Sequence, residues 1–252
     1  MQTKTIPYNF LKSFERIDEI LTASSTYEEL DYIPQREKLT FTNGYYVKCN
    51  AIFIDVRGSS SLPQKYRRPS LAKLYRSYIS ELVAILNSYE ECKEVNIVGD
   101  CVSGIFEAQK KEDTRQAFKS AYTIYSLVKA LNYKLCRKGI SPIKIGIGIA
   151  KGRALMIKAG YRGSKISEVV WMGDVVNEAS NLCSLANKKD TSSLVIGESV
   201  FTDLLDTSQG FFKKKKQVAP NGYKNIYHAN IHRKDMEKWL KDAQTKKPCS
   251  KT

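Results

Sequence analysis

An α+β fold is predicted, with strands and helices in the order β-α-β-β-α-β, the ferredoxin-like arrangement, and additions at the C-terminal end. Three observations predict it. Short apolar runs alternate with two long segments of helical period. The runs in "KEVNIVGDCVSGIFEA" are split at Gly99-Asp100 as a tight hairpin would be. The chain has 252 residues, 42% of them hydrophobic, enough for one sizeable core.

The elements follow in order. Phe10, Phe14, Ile17 and Leu21 recur at helical spacing near the start. A polar, acidic stretch comes next, and then "KLTFTNGYYV", where Asn43-Gly44 between strand formers is a hairpin signal. That hairpin leads into a strand at 51–56. Pro69 and Ser70 open a long amphipathic helix with Leu71, Leu74, Tyr78, Leu82 and Ile85 on one face. After the Gly99-Asp100 hairpin, a second long helix is expected over 114–137. "IKIGIGIAKGRALMIKAG" reads as a strand with glycines where a backbone or ligand comes close. A helix over 174–187, a strand at "SSLVIG", and a closing hairpin over 211–231 around Pro220-Asn221-Gly222 complete the core. This divides the chain into an N-terminal helix and hairpin arm (1–50), a catalytic-sized domain (51–231), and a short helix with a Lys-rich tail (232–252).

Composition narrows the function classes. No apolar run approaches the roughly 20 residues of a membrane span, and the start lacks a secretory signal, so a cytoplasmic protein is expected. Six scattered cysteines without a CxxC pair and two late histidines suggest neither a zinc site nor a disulfide framework. A net charge of +15 suits a polyanionic partner. The basic residues are spread along the chain with no evident RNA or DNA motif, so nucleic acid is not expected, and Lys213 to Lys216 reads as a solvated loop.

Chemistry enters at "AIFIDVRGSSSL". Asp55 interrupts a buried strand, and a lone buried carboxylate is costly unless it is paired or holds a metal. In the expected topology the 51–56 strand neighbours the central hairpin, so Asp55 and Asp100 converge. Two close carboxylates repel unless a cation lies between them, and Mg²⁺ or Mn²⁺ with substrate phosphates is the natural occupant. Gly58, Ser59 and Ser60 follow with consecutive backbone N–H groups able to cradle phosphate. Taken singly, Asp55 reads equally well as a capping acid and Asp100 as a turn residue. Their joint occurrence with the motifs below points to chemistry.

Four motifs in order, "FIDVRGSSSL", "VNIVGDCVSGIF", "IGIGIAKGRAL" and "WMGDVVNEASNL", resemble the catalytic domain of class III nucleotidyl cyclases over about 51–231. The resemblance implies two metal ions on Asp55, Asp100 and the Val56 carbonyl, a triphosphate contact at Arg153, and a ribose-orienting Asn177. It also implies a late phosphate-binding lysine, Lys215 or Lys216. Adenylate cyclases of the family carry a lysine and an aspartate, both reading adenine, where this chain has Asn96 and Val170. They carry a transition-state arginine where this chain has Asn181, so Arg57 is a candidate substitute at the phosphate. These departures argue against ATP.

An arginine just after "FID" and the "SS" segment resemble the pyrimidine cyclases of Pycsar antiphage systems. That implies UTP or CTP as substrate, a 3′,5′-cyclic pyrimidine product, and a separately encoded effector. One copy of each motif implies a head-to-tail homodimer with two composite sites. A purine cyclase with an altered base pocket and a catalytically silent nucleotide- or RNA-binding module are the competing readings.

Overall fold

The computed structural model describes residues 5–162, 166–188, 190–219 and 222–249. An N-terminal arm comes first, formed by α1 (Phe10–Thr22), β1 (Thr26–Leu30) and a 3₁₀ turn at Arg36–Lys38. The core runs β2 (Asn43–Val56), α2 (Leu62–Lys65), α3 (Arg68–Leu86), β3 (Cys92–Val98), β4 (Cys101–Glu107), α4 (Lys111–Cys136) and β5 (Ile145–Tyr161). It continues through β6 (Ile166–Met172), α5 (Asp174–Leu185), β7 (Leu194–Gly197), α6 (Glu198–Asp203) and α7 (Asp206–Gln209). β8 (Lys213–Ala219), β9 (Gly222–Ala229) and α8 (Lys234–Lys246) complete the chain.

The expected β-α-β-β-α-β core is β2-α3-β3-β4-α4-β5. One sheet has the order β3-β4-β2-β5-β7-β9-β8, with β1 added to β2 and β6 to β5. Side chains of a strand alternate between faces. One face of β2 (Ile52, Ile54 and Val56) packs with Tyr78 and Leu82 of α3 and with Ala121 and Ile124 of α4 in the larger core. The other face (Cys49, Ala51) packs with Ala179 and Leu182 of α5 and with Ile33 of the arm. Asp55 belongs to this second face.

Three expectations are corrected. Asn43-Gly44 is not a hairpin tip but the start of a 14-residue strand, which pairs in parallel with β1. The Asn43 side chain accepts from Thr40 N (2.7 Å) and donates to Lys38 O (2.9 Å), fastening the arm and not closing a turn. The core strand therefore starts at 43, and a division at residue 50 would cut it. Lys213–Lys216 is not a loop: it starts β8, whose antiparallel partner β9 sets Lys215 opposite Ile226 and Lys216 opposite Asn225. The turn expected at Pro220-Asn221 lies outside the described residues. Finally, Cys136 and Cys249 are disulfide-bonded across 113 residues, fastening the tail to the end of α4. The Tyr133 hydroxyl supports that docking with contacts to Ala243 O and Lys247 O, both 2.9 Å.

β1 and β6 had no expectation. Both add to the long ends of β2 and β5, beyond the core strands. Helix α1 forms where expected, but Phe10, Phe14, Ile17 and Leu21 remain exposed.

Candidate active site

β2 ends by delivering Asp55 beside the β3–β4 hairpin, whose turn carries Gly99 at φ 63° and then Asp100. Burial, and then the Asp100 carboxyl beside it, hold the Asp55 pKa above its ordinary value. Asp100 Oδ2 is buried and, among the described residues, has no hydrogen-bond partner. Two facing carboxyls with an orphaned oxygen form an acceptor-rich pocket whose chemistry suits a cation. Val56, buried at the end of the same strand, follows Asp55 directly. The chain then turns through Gly58 at φ 70°, a left-handed conformation that favours glycine, into a single 3₁₀ turn at Ser59–Ser61. Ser61 Oγ closes that turn on the Gly58 carbonyl (2.8 Å).

Arg57 does not reach out along this loop. Its guanidinium turns inward, bonds Asp55 Oδ2 (3.2 Å) and the Cys183 carbonyl, and leaves the side chain only 13% exposed. Room for it comes from Gly146, where a Cβ would sit 1.7 Å from an Arg57 nitrogen. Arg57 thus ties the aspartate to the last turn of α5, a role fixed by Gly146 and Cys183, which lie far away in sequence. Burial pushes the Cys183 thiol up to about 11, so it stays protonated and donates to Gly146 O (3.2 Å). The buried Tyr78 hydroxyl also has no partner among the described residues; burial, and then Asp55, raise its pKa. The glycines of this strand read from the sequence as places of close approach, but no motif signals that Gly146 makes room for Arg57, or that Cys183 and Tyr78 border the site.

The remaining candidates lie elsewhere. Asn177, in the first turns of α5, and Asn181, one turn on, are both exposed. That end of α5 packs over Gly152, where a Cβ would meet Val175 at 3.2 Å, while the last turn packs over Gly148, against Cys183 N at 2.1 Å. Arg153 is exposed, stacks 3.9 Å from the Tyr46 ring centre, and ion-pairs with Glu29 (3.1 Å). In the β2–β5 register Arg153 faces Lys48 while Asp55 faces Gly146. Seven residues of extended chain separate the two, about 23 Å. One protomer therefore cannot bring Asp55 and Arg153 to the same phosphate group.

Asn96 is half-buried, pairs with Ser103 across β4, and donates to Glu94 Oε1 (3.3 Å). Val170 pairs with Ile157 near the far end of β5, on the opposite face from its neighbour Trp171. Lys215 and Lys216 lie on the edge strand at the other side of the sheet from β3.

A family model described as the adenylate and guanylate cyclase catalytic domain matches residues 43–231. The chain belongs to that family. Its start at 43 coincides with the first residue of β2. A uridylate cyclase from Gulbenkiania mobilis is 41% identical to this cyclase, covering 96% of this chain and 99% of the relative. A uridylate cyclase from Treponema porcinum is 35% identical, covering 83% of this chain and 73% of the relative. The crystal structure of the adenylyl cyclase CyaB from P. aeruginosa is similar with a TM-score of 0.64 at 22% identity, over 76% of this chain and 98% of that one. At that identity the likeness carries the fold alone.

The residues of this cyclase suit a divalent cation. Among the described residues no cluster of three or more His, Cys, Asp or Glu could enclose a metal. Two carboxylates completed by waters and substrate phosphates are how Mg²⁺ and Mn²⁺ are ordinarily held. No described helix is long and apolar enough to cross a membrane.

Proposed function

We propose that this nucleotide cyclase acts on a pyrimidine, converting UTP, or CTP as the second candidate, to the 3′,5′-cyclic monophosphate and diphosphate. The observation that carries the reading is the facing pair Asp55 and Asp100 at the end of β2, followed at once by the Gly58 turn. Support for a pyrimidine comes from Asn96 and Val170 at the purine-reading positions and from the uridylate cyclase names of the two relatives.

Asp55, Asp100 and the Val56 carbonyl would hold two Mg²⁺ or Mn²⁺ ions, which when bound supply charge neutralisation for the triphosphate and acidify the ribose 3′-hydroxyl. The chain's own residues do the rest. The backbone of Gly58, Ser59 and Ser60 offers N–H groups to phosphate oxygens. Arg57 holds Asp55 in place from behind. Asn177 orients the ribose, so that the 3′-oxygen lies in line with the α-phosphorus and the departing diphosphate. Arg153 and one of Lys215 and Lys216 offer positive charge to phosphate. Asn181 supplies only an amide, so less of the transition-state charge is met on α5.

Because Asp55 and Arg153 lie about 23 Å apart along the strands, a complete site needs two chains. A head-to-tail homodimer supplies the metal half from one protomer and the Asn177 half from the other, twice. The cyclic product would act as a second messenger in antiphage defence, read by a separately encoded effector, and the protein would be cytoplasmic. Incubating purified protein with Mn²⁺ and each of UTP, CTP, ATP and GTP, and identifying products by mass, tests the reading. A cyclic pyrimidine is expected. A cyclic purine alone, or no pyrophosphate release from any of the four, would sink it.

A further inference from the structure

A cavity of about 970 Å³ lies on the sheet face that carries Asp55, lined by Glu94, two residues from Asn96, and by Trp171, next to Val170. Its floor includes Glu94 of β3 and Glu107 of β4, Trp171 of β6 forms part of its wall, and residues 32–38 of the arm cross it as a strap. The strap is built, not draped. Ile33 is buried and its N–H donates to both Glu107 oxygens (3.2 Å each). Arg36 reaches across to Glu94 (3.8 Å) and ion-pairs with Glu168 of β6, so one guanidinium spans the two strands that carry Asn96 and Val170.

The polar groups of this cavity form an uncommon set. Glu94 is 8% exposed, and among the described residues its oxygens meet only the Asn96 amide at 3.3 Å and the Arg36 Nε at 3.8 Å. The Trp171 indole N–H is buried and, among the described residues, has no acceptor. A buried donor left unpaired is costly, so the indole calls for an acceptor and the weakly paired carboxylate for a further donor, both of which a ligand can supply.

We propose that this cavity is the base subsite and that Glu94, flanked by donors on Arg36 and Trp171, selects uracil. The inference rests on the pyrimidine cyclase reading above. Uracil offers two carbonyl oxygens on either side of one N–H, so its edge calls for two donors and one acceptor, the set that Arg36, Trp171 and Glu94 supply. Cytosine carries an amino group and a bare ring nitrogen in place of the carbonyl and the N–H, and meets Arg36 and Glu94 with the wrong partner at both. Mismatched polar groups in a closed site discriminate more strongly than lost apolar contact. Glu94 and Arg36 are thus specificity residues contributed by the sheet and by the arm, at positions the family motifs do not mark.

The test compares kcat/KM for UTP, CTP, ATP and GTP in the wild-type protein and in Glu94→Gln, Arg36→Gln and Trp171→Phe, with Mn²⁺ and product identification by mass. Glu94→Gln should lower kcat/KM for UTP about 10- to 100-fold, the loss of a hydrogen bond to a charged group. It should lower CTP less, because an amide can also donate to the cytosine ring nitrogen. Arg36 is half-exposed, so Arg36→Gln keeps the test open if Glu94→Gln does not fold. It should shift the UTP to CTP ratio in the same direction. Trp171→Phe should lower both pyrimidines severalfold. A wild-type protein that makes cyclic UMP while Glu94→Gln and Arg36→Gln keep its UTP to CTP ratio overturns the proposal and leaves the cyclase reading intact. An equal loss for all four nucleotides overturns it as well, by marking these residues as structural. Wild-type protein that makes no cyclic pyrimidine overturns the underlying reading instead.

Discussion

Asp55 and Asp100 illustrate how two acids become a site. Each is unremarkable alone; burial, and then the Asp100 carboxyl, raise the Asp55 pKa, and among the described residues Asp100 Oδ2 is left without a donor. The fold tolerates this because Arg57, braced by the Cys183 carbonyl, offsets part of the repulsion. A carboxyl whose folded pKa is raised destabilises the fold once pH rises past its ordinary value, 3.8 here, and the charge must be carried. Asp100→Asn should therefore raise the Tm of metal-free protein at neutral pH while abolishing turnover, and Mn²⁺ should then stabilise the wild type but not the variant. Calorimetry with and without Mn²⁺ checks both arms. A variant with normal turnover would remove the metal role of Asp100. Arg57 was expected to face phosphate, and the sequence motif that contains it carries no sign of the Gly146 cavity that draws it inward.

At the scale of elements, the glycines of β5 decide how closely α5 approaches the sheet. A Cβ on Gly148 would lie 2.2 Å from Ala179 O and 2.1 Å from Cys183 N, both backbone atoms that cannot yield without moving the helix. Gly148→Ala should cost about 1–3 kcal/mol by overpacking, and should lower kcat as Asn177 and the Arg57 brace shift together. Denaturant titration and steady-state kinetics on the same variant check this. The closing hairpin carries a separate pH sensitivity. His228 is buried in β9 with its Nδ1 accepting from Ser192 N (3.2 Å). Burial, then Lys215 and Lys213, hold its pKa below the ordinary 6.5. The unfolded chain thus binds a proton that the folded chain resists. This contribution to stability is complete above pH 6.5 and is lost as pH falls towards the folded value. His228→Asn, which keeps an acceptor for Ser192, should reduce the drop in denaturation midpoint between pH 7.5 and 5.5, and an unchanged drop would exclude His228 as its source.

Over the whole molecule, α5 separates the candidate machinery into two ends. The Asp55 end lies by its last turn, and Asn177 and Arg153 lie by its first. A two-chain site makes a clear prediction for mixtures. Asp55→Ala and Asn177→Ala chains, each inactive alone, should recover about a quarter of wild-type turnover when mixed in equal amounts. Half of the dimers are then hybrids, with one intact site of two. No recovery after confirmed subunit exchange would argue for sites complete within one chain. Much of the core was legible beforehand: α3, α4, α5 and the β3–β4 hairpin lie within a few residues of their expected spans, because buried faces impose periods of 3.6 and 2 on the sequence. The arm was not, since β1 reads "TYEEL", an exposed acidic strand held by pairing to β2 and not by burial of its own side chains.

What the sequence by itself determined was the β-α-β-β-α-β order, the hairpin carrying Asp100, and the motifs that bring Asp55, Arg153 and Asn177 into one family pattern. These are local signals, written in adjacent residues. What only the tertiary structure decided was which groups meet. Arg57 turns to Cys183, 126 residues away, Arg36 crosses to Glu94 and Glu168, and Arg153 lies a strand's length from Asp55. A side chain's partner depends on register, twist and the space left by glycines on other strands, and no window of adjacent residues encodes those.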